Sequence, residues 1–150
     1  MSESKYDKYA GMTFPPVTFE VTGDRIRNYA KATDDMKPEF LEKDDHKLVA
    51  PLEFTSVYWI SSFAHLSKLV EDGIIKDFSR LLHGGQRYEF LKPVKPGDKL
   101  ELQVQIKEIY VKSNMLFLVF SIPVKNQNNE LVSKLSTTFI VRPGDFKREE

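Results

Sequence analysis

The chain contains no cysteine, which excludes disulfides and thiolate-ligated metal sites. Histidine is scarce. His46, His65 and His83 are the three copies, and their separations match no zinc-site spacing, so no metal is expected. There is no surplus of charge either. The 22 Lys and Arg balance 22 Asp and Glu, for a formal net charge of zero. Phosphate neutralisation needs a basic excess, so nucleic-acid binding has no support. No long apolar run exists. The most apolar region, 52–70, is broken by Glu53, His65 and Lys68, which argues against a membrane span. The amino terminus, Met1-Ser2-Glu3-Ser4-Lys5, lacks the apolar core of a signal peptide. A soluble, cytoplasmic protein is the simplest expectation. Repeats and low-complexity linkers are also missing. The 150 residues therefore read as one domain with a core over about residues 14–142. That length buries roughly 70% of the surface an unfolded chain exposes. Only the first eight or so residues and the tail from Lys147 to Glu150 are expected to fray.

What is present is ordered by pattern. Val17, Phe19 and Val21 alternate with Thr18 and Glu20, the period of a strand. Thr22 or Asp24 can cap a short helix carrying Ile26, Tyr29 and Ala30, which ends before Pro38. Residues 41–48 are charged and predict an exposed loop. Pro51 suits a first helical position. From Leu52 to Glu71 apolar side chains fall nearly all round a helix, which must then be enclosed by the rest of the protein. Asp72-Gly73 stops it. Strands follow at Leu81–Phe90, at Leu100–Ile106 with alternating burial, and at Met115–Val124, apolar enough for a central strand covered on both faces. A phase shift at Ile109 and Val111 predicts a bulge near Glu108. Asn126–Asn129 reads as a hairpin turn before a last strand, Leu131–Val141. One helix, four later strands and one early strand define an α+β class.

Residues 29–40 read Tyr29-Ala30-Lys31-Ala32-Thr33-Asp34-Asp35-Met36-Lys37-Pro38-Glu39-Phe40. This resembles the signature of the MaoC-like (R)-specific enoyl-thioester hydratases and dehydratases. That signature runs Tyr-Ala, two residues, Ser or Thr, Gly, Asp, any residue, Asn, Pro, any residue, His. Tyr29, Ala30, Thr33, Asp35 and Pro38 fit. Asp34 stands for the Gly, Lys37 for the Asn and Phe40 for the His. Val49-Ala50-Pro51-Leu52-Glu53-Phe54 resembles the entry to the central helix in the dehydratase-like amino-terminal subgroup. His83-Gly84-Gly85-Gln86-Arg87-Tyr88, then Pro93 and Gly97-Asp98, resembles that subgroup's His-Gly-Glu-Gln segment.

The resemblance implies a single hotdog fold, in which an antiparallel sheet wraps one long central helix. It also implies the family's chemistry, reversible hydration of a trans-2-enoyl thioester by an Asp and a His. Some members of the subgroup lack that His and help a complete partner hold the acyl chain, and Phe40 groups this chain with them. The expected substrate is a coenzyme A or acyl-carrier-protein thioester, with no separate cofactor. The expected assembly is a homodimer, or a heterodimer with a catalytically complete MaoC-like subunit, joined edge to edge through the open sheet.

The candidate residues each have a plainer reading beside the functional one. Asp35 is a remnant general base or a loop carboxylate. His83 contacts the thioester or makes a structural hydrogen bond. Glu53 activates water in a hotdog thioesterase, or simply sits where a helix start favours negative charge. Val57, Tyr58, Ile60, Ser61 and Phe63 line an acyl tunnel or fill a core. Gly84 and Gly85 admit a ligand or a neighbouring backbone. Gln86 is a polar substrate-binding candidate, and Arg87 or Lys92 meets the phosphates of coenzyme A or the phosphopantetheine of a carrier protein; the plain reading of each is a solvated strand-edge group. His65 reads as partly buried. A side chain at Asp34 is expected to hinder the conformation glycine would allow, and Phe40→His with Lys37→Asn and Asp34→Gly would rebuild the motif. The alternative function is a hotdog acyl-CoA thioesterase or acyl-CoA-binding module.

Overall fold

The computed structural model of the chain describes residues 6–146. Six strands form one sheet, all paired antiparallel: β1 (Val17–Glu20), β2 (Leu81–Phe90), β3 (Lys99–Leu102), β4 (Gln105–Lys112), β5 (Met115–Lys125) and β6 (Leu131–Val141). Their order is β1-β3-β5-β6-β2, with β4 also on β5. Helix α1 (Gly23–Ala32) follows β1, and its cap is Thr22, whose Oγ1 accepts from the Arg25 amide at 3.3 Å. Helix α2 (Pro38–Leu41) starts on Pro38, whose missing amide hydrogen has no partner to lose there.

The expected central helix occupies Leu52 to Glu71 as consecutive short segments. A 3-10 turn (Leu52–Phe54) leads into α3 (Thr55–Trp59), a second 3-10 stretch (Ile60–His65) and α4 (Ser67–Glu71). Pro51 is extended and stands one place before the first turn rather than inside it. Serine and threonine hydroxyls turn back on the preceding backbone here: Thr55 donates to Leu52, Ser61 to Tyr58 and Ser62 to Trp59 carbonyls. Such bonds compete with the helical ladder and tighten it.

The sheet curls round this segment in the hotdog arrangement. Phe54 sits at the centre, its ring 5.7 Å from Tyr29, 6.2 Å from Tyr58 and 6.4 Å from Phe19. Along β5, Leu116, Leu118, Phe120, Ile122 and Val124 all point inward and are fully buried. The opposite face of β5 is only half-buried, contrary to the expectation of full cover. Cross-strand neighbours shield part of it, as where Tyr110 stacks on Phe117 at 5.1 Å. The strand expected over 100–106 divides at Gln103-Val104. The Val104 carbonyl accepts from the Phe14 amide there, and Ile106 bonds Gly11 and Met12. The bulge falls between Ile106 and Glu108 as predicted. Its shift sets Ile109 and Val111 on the same face as Leu118 and Leu116, where Ile109 is buried while Val111, near the strand end, stays 50% exposed.

Two further expectations are corrected. Tyr6, expected to fray, is instead buried against the core beside Tyr9, and the rest of that expectation, residues 1–5 and 147–150, lies outside those described. His65 is exposed. Enclosure of the helical segment is incomplete within one chain. Leu52 is 57% and Ile60 64% exposed, and β2 is an edge strand with Leu82, Tyr88 and Phe90 open to solvent. No helix among the described residues is long and apolar enough to cross a membrane.

Phe120 touches both layers, its ring 5.7 Å from Phe63 and 5.9 Å from Phe139. Phe120→Ala should destabilise the fold by about 3–5 kcal/mol, as emptied aromatic core sites do. Urea unfolding followed by tryptophan fluorescence measures it.

Candidate functional site

Three chain segments meet at one cavity. The Val49 amide reaches the Glu39 carbonyl at 3.5 Å, and the Ala50 amide bonds the Val94 carbonyl at 3.2 Å. The Leu91 and Lys92 amides both bond the Val132 carbonyl, at 2.9 and 3.1 Å. These ties draw α2, the start of the helical segment and the end of β2 around a cavity of about 210 Å³. Phe40, Ala50, Pro51, Phe54, Val94 and Val132 supply its apolar walls, and Leu52, Phe90 and Lys92 stand at its exposed rim. Thr55, Tyr58 and Ser133 give it a buried polar floor.

The 29–40 motif converges here through Phe40, while Asp35 is not among the cavity's residues. Asp35 is 29% exposed and its carboxylate lies 3.6 Å from the Lys37 ammonium. That same ammonium sits 5.2 Å from the Phe40 ring centroid. Lys37 thus bridges the carboxylate and the aromatic ring, neutralising one and packing on the other. Asp34 has φ 57°, the left-handed conformation that a glycine would favour. The expected obstruction does not occur, because aspartate tolerates this region better than most residues.

A second cavity, of about 580 Å³, is lined by Trp59, Ile60, Phe63, Leu66, Phe78, Leu81, His83 and Phe139. His83 is held there by Thr137 Oγ1 at 3.1 Å and Gln86 Oε1 at 3.2 Å, with its ring 5.9 Å from Trp59. The Gln86 amide nitrogen is buried without a partner. Gly84 lies at the register shift between His83 and Gly85. A Cβ on it would meet Ile140 Cδ1 at 2.6 Å, so this glycine serves close packing. A Cβ on Gly85 would make only an ordinary contact, with Thr138 Cβ at 4.0 Å. Arg87 is exposed and forms no ion pair among the described residues, whereas Lys92 pairs with Glu130. Asn126 and Lys92 together hold the Glu130 carboxyl below its usual range. Glu53 is exposed and lines a groove of about 430 Å³ with Tyr29, Ser56 and Tyr88. Val57 and Ser61 are half-buried and line none of these cavities.

Sequence reading missed Thr55 and Ser133, and it named Asp98 within the resemblance without its burial. Asp98 pins the turn after β2, accepting from the Lys95 amide at 3.0 Å and the Gln127 side chain at 3.2 Å. Gly97 beside it has φ 90°. The Gly97-Asp98 pair thus has a structural basis in turn geometry. Ser133 carried no signal in its own segment, because only the pairing of β6 with β2 and β5 brings it beneath Tyr58.

A curled antiparallel sheet round a short helical stretch defines a hotdog protein. A family model described as the FAS1-like dehydratase domain region matches residues 8–135, and the chain belongs to that family. A UPF0336 protein of Streptomyces griseus is 25% identical over 144 residues, covering 91% of this chain and 95% of that protein. The C-terminally truncated HadBC (3R-hydroxyacyl-ACP dehydratase) complex of Mycobacterium tuberculosis matches with a TM-score of 0.71 and 25% identity, over 88% of this chain and 96% of that one. A MaoC-like dehydratase matches with a TM-score of 0.76 and 21% identity, over 91% of this chain but 43% of its own.

Two outcomes follow from the geometry. Asp34→Gly should stabilise the fold by about 0.5–1 kcal/mol, since the left-handed conformation penalises a side chain by more than glycine's extra chain entropy. A rise in chemical-denaturation midpoint checks it. The second concerns Tyr58. Burial raises its hydroxyl above the ordinary 10.0, against the opposing pull of its hydrogen bonds with Ser133 and Thr55. A folded-state value above the unfolded one means that the contribution to stability is whole below pH 10 and is lost as pH rises through the folded value. Melting temperature should therefore fall more steeply above pH 10 in the native chain than in Tyr58→Phe, in a thermal series from pH 8 to 11.

Proposed function

We propose that this chain is an acyl-thioester-binding subunit of an (R)-specific enoyl-thioester hydratase or 3-hydroxyacyl-thioester dehydratase, acting in the cytoplasm beside a partner with an intact Asp and His. The observation that carries the reading is Phe40. It walls the cavity where the family signature calls for a proton-transferring imidazole, and a phenyl ring transfers no proton. Asp35, the other half of the pair, is engaged by Lys37. An apolar cavity beside an incomplete acid–base pair supports a role in holding an acyl chain rather than in proton transfer.

The open side of the fold supports a partner. Ten residues of β2 present an unpaired flank, and Leu52, Ile60, Leu82, Tyr88, Phe90 and Leu91 form an exposed apolar rim along it. Unpaired edges of this length are normally covered. Antiparallel pairing of two such edges would set the Phe90 end of one chain beside the His83 end of the other. The small cavity of one would then adjoin the larger cavity of its neighbour. The likeness to a dehydratase complex fits this arrangement. In isolation the edge would pair with a second copy; in function it would pair with the complete subunit. The substrate would arrive as a coenzyme A or acyl-carrier-protein thioester.

A thioesterase reading rests on Glu53, a carboxylate in an accessible groove beside the Tyr29 and Ser56 hydroxyls. Thiol release from acyl-CoAs that survives Glu53→Ala removes that carboxylate from consideration, and turnover without hydration favours a thioesterase.

The isolated chain should hydrate crotonyl-CoA negligibly and gain activity when co-purified with a complete MaoC-like partner. Robust hydration by the chain alone, lost in Asp35→Ala, would overturn the subunit reading. Ile60→Asp should reduce dimerisation in light scattering at micromolar concentration without lowering the melting temperature of the separated chain.

A further inference from the structure

The floor of the 210 Å³ cavity has a direction. Thr55 Oγ1 donates its proton to the Leu52 carbonyl at 2.7 Å. It therefore receives, rather than gives, at the 3.0 Å contact with the Tyr58 hydroxyl. Tyr58, having spent its proton on Thr55, receives in turn from Ser133 Oγ at 3.4 Å. The protons run one way, from Ser133 through Tyr58 and Thr55 to the backbone at Leu52. All three side chains are at least 97% buried, at 1%, 1% and 3% exposure, so solvent does not scramble the order. Ser133 ends the chain with its proton used and its lone pairs free, and it faces the cavity. The other buried walls are the apolar side chains and ring faces already described, and the one ammonium of the lining, Lys92, stands at the exposed rim and is paired with Glu130.

A buried floor whose free side-chain capacity is that of an acceptor takes a ligand that brings a donor. A thioester carbonyl or an alkene brings none; an alcohol brings one. The volume is below that of a typical whole-ligand pocket and matches the short end of a larger molecule.

We infer that the Phe40 cavity is an alcohol-selective subsite, in which Ser133 Oγ accepts from the hydroxyl of a short 3-hydroxyacyl thioester in preference to the enoyl or saturated form. This rests on the acyl-thioester reading above and adds which side of the hydration equilibrium the chain holds. Ser133 and Tyr58 are specificity residues and transfer no proton to substrate. Retention of the hydroxylated form would bias a coupled partner by withdrawing one member of the equilibrium.

The test is binding of (R)-3-hydroxybutyryl-CoA, crotonyl-CoA and butyryl-CoA to the full chain, by calorimetry. One well-placed neutral hydrogen bond predicts about 3- to 10-fold tighter binding of the hydroxy ester than of either other. Ser133→Ala should remove that difference while leaving crotonyl-CoA affinity in place. Tyr58→Phe should narrow it from the other side, because the Ser133 proton is released and can then donate to a carbonyl. Equal binding of all three esters by the native chain, which needs no variant to fold, overturns the alcohol-selective site and leaves the acyl-thioester reading standing. Binding of none of the three overturns that reading, and the subsite with it. A preference for the hydroxy ester that persists undiminished in a folded Ser133→Ala also overturns the assignment.

Discussion

The helical stretch from Leu52 to Glu71 must be hidden from water on nearly every side, and the rest of the structure answers to that demand. One sheet can cover only the side it curls round. Phe54, Tyr58, Leu66 and Leu69 take that side and are buried almost completely. The remaining apolar surface, at Leu52 and Ile60, is left outside. Burial of aliphatic and aromatic area at roughly 25 cal/mol per Å² favours a second body over solvent there. The open β2 edge lies along the same flank. Backbone pairing and apolar burial thus call for the same neighbour.

The cavity follows from that geometry. Where the helical stretch begins, its first turn is a 3-10 turn, preceded by an extended Pro51. Backbone ties to Glu39 and Val94 hold this corner open rather than letting the core close over it. Phe40 and Phe90 then wall a space they do not fill, and three hydroxyls at its base satisfy one another in sequence. A buried polar group without a partner is costly, so the chain of hydroxyls has to end on a carbonyl at one end. At the other end it leaves unused acceptor capacity, which is what gives the site chemical selectivity.

The motif residues divide by the kind of interaction they make. Thr22, Pro38, Gly97 and the bulge before Glu108 act through neighbours a few positions away, and their roles were readable in order along the chain. Asp34 was read as an obstacle because only steric preference was weighed. The turn holds it left-handed all the same, because aspartate bears that conformation at modest cost. Gly84 was weighed as ligand space or backbone contact, and what occupies the space beside it is the Ile140 side chain from β6. Asp35 and Phe40 were read as neighbours in one site. The interposed Lys37 side chain changes their relation, since it engages one and packs on the other.

By itself, the sequence determined the elements and the family, because strand period, helix period, caps and turn residues are local properties, and the signature residues stand in a fixed order. It also determined that residue 40 is an aromatic ring where the signature has an imidazole. Only the tertiary structure decided which side of the helical stretch stays exposed and which strand is left at the edge. Only the structure, too, set Ser133 beneath Tyr58, 75 positions apart in the chain. Those facts depend on pairing β6 with β2 and β5, and a strand's period tells which face a residue takes without telling what it will face.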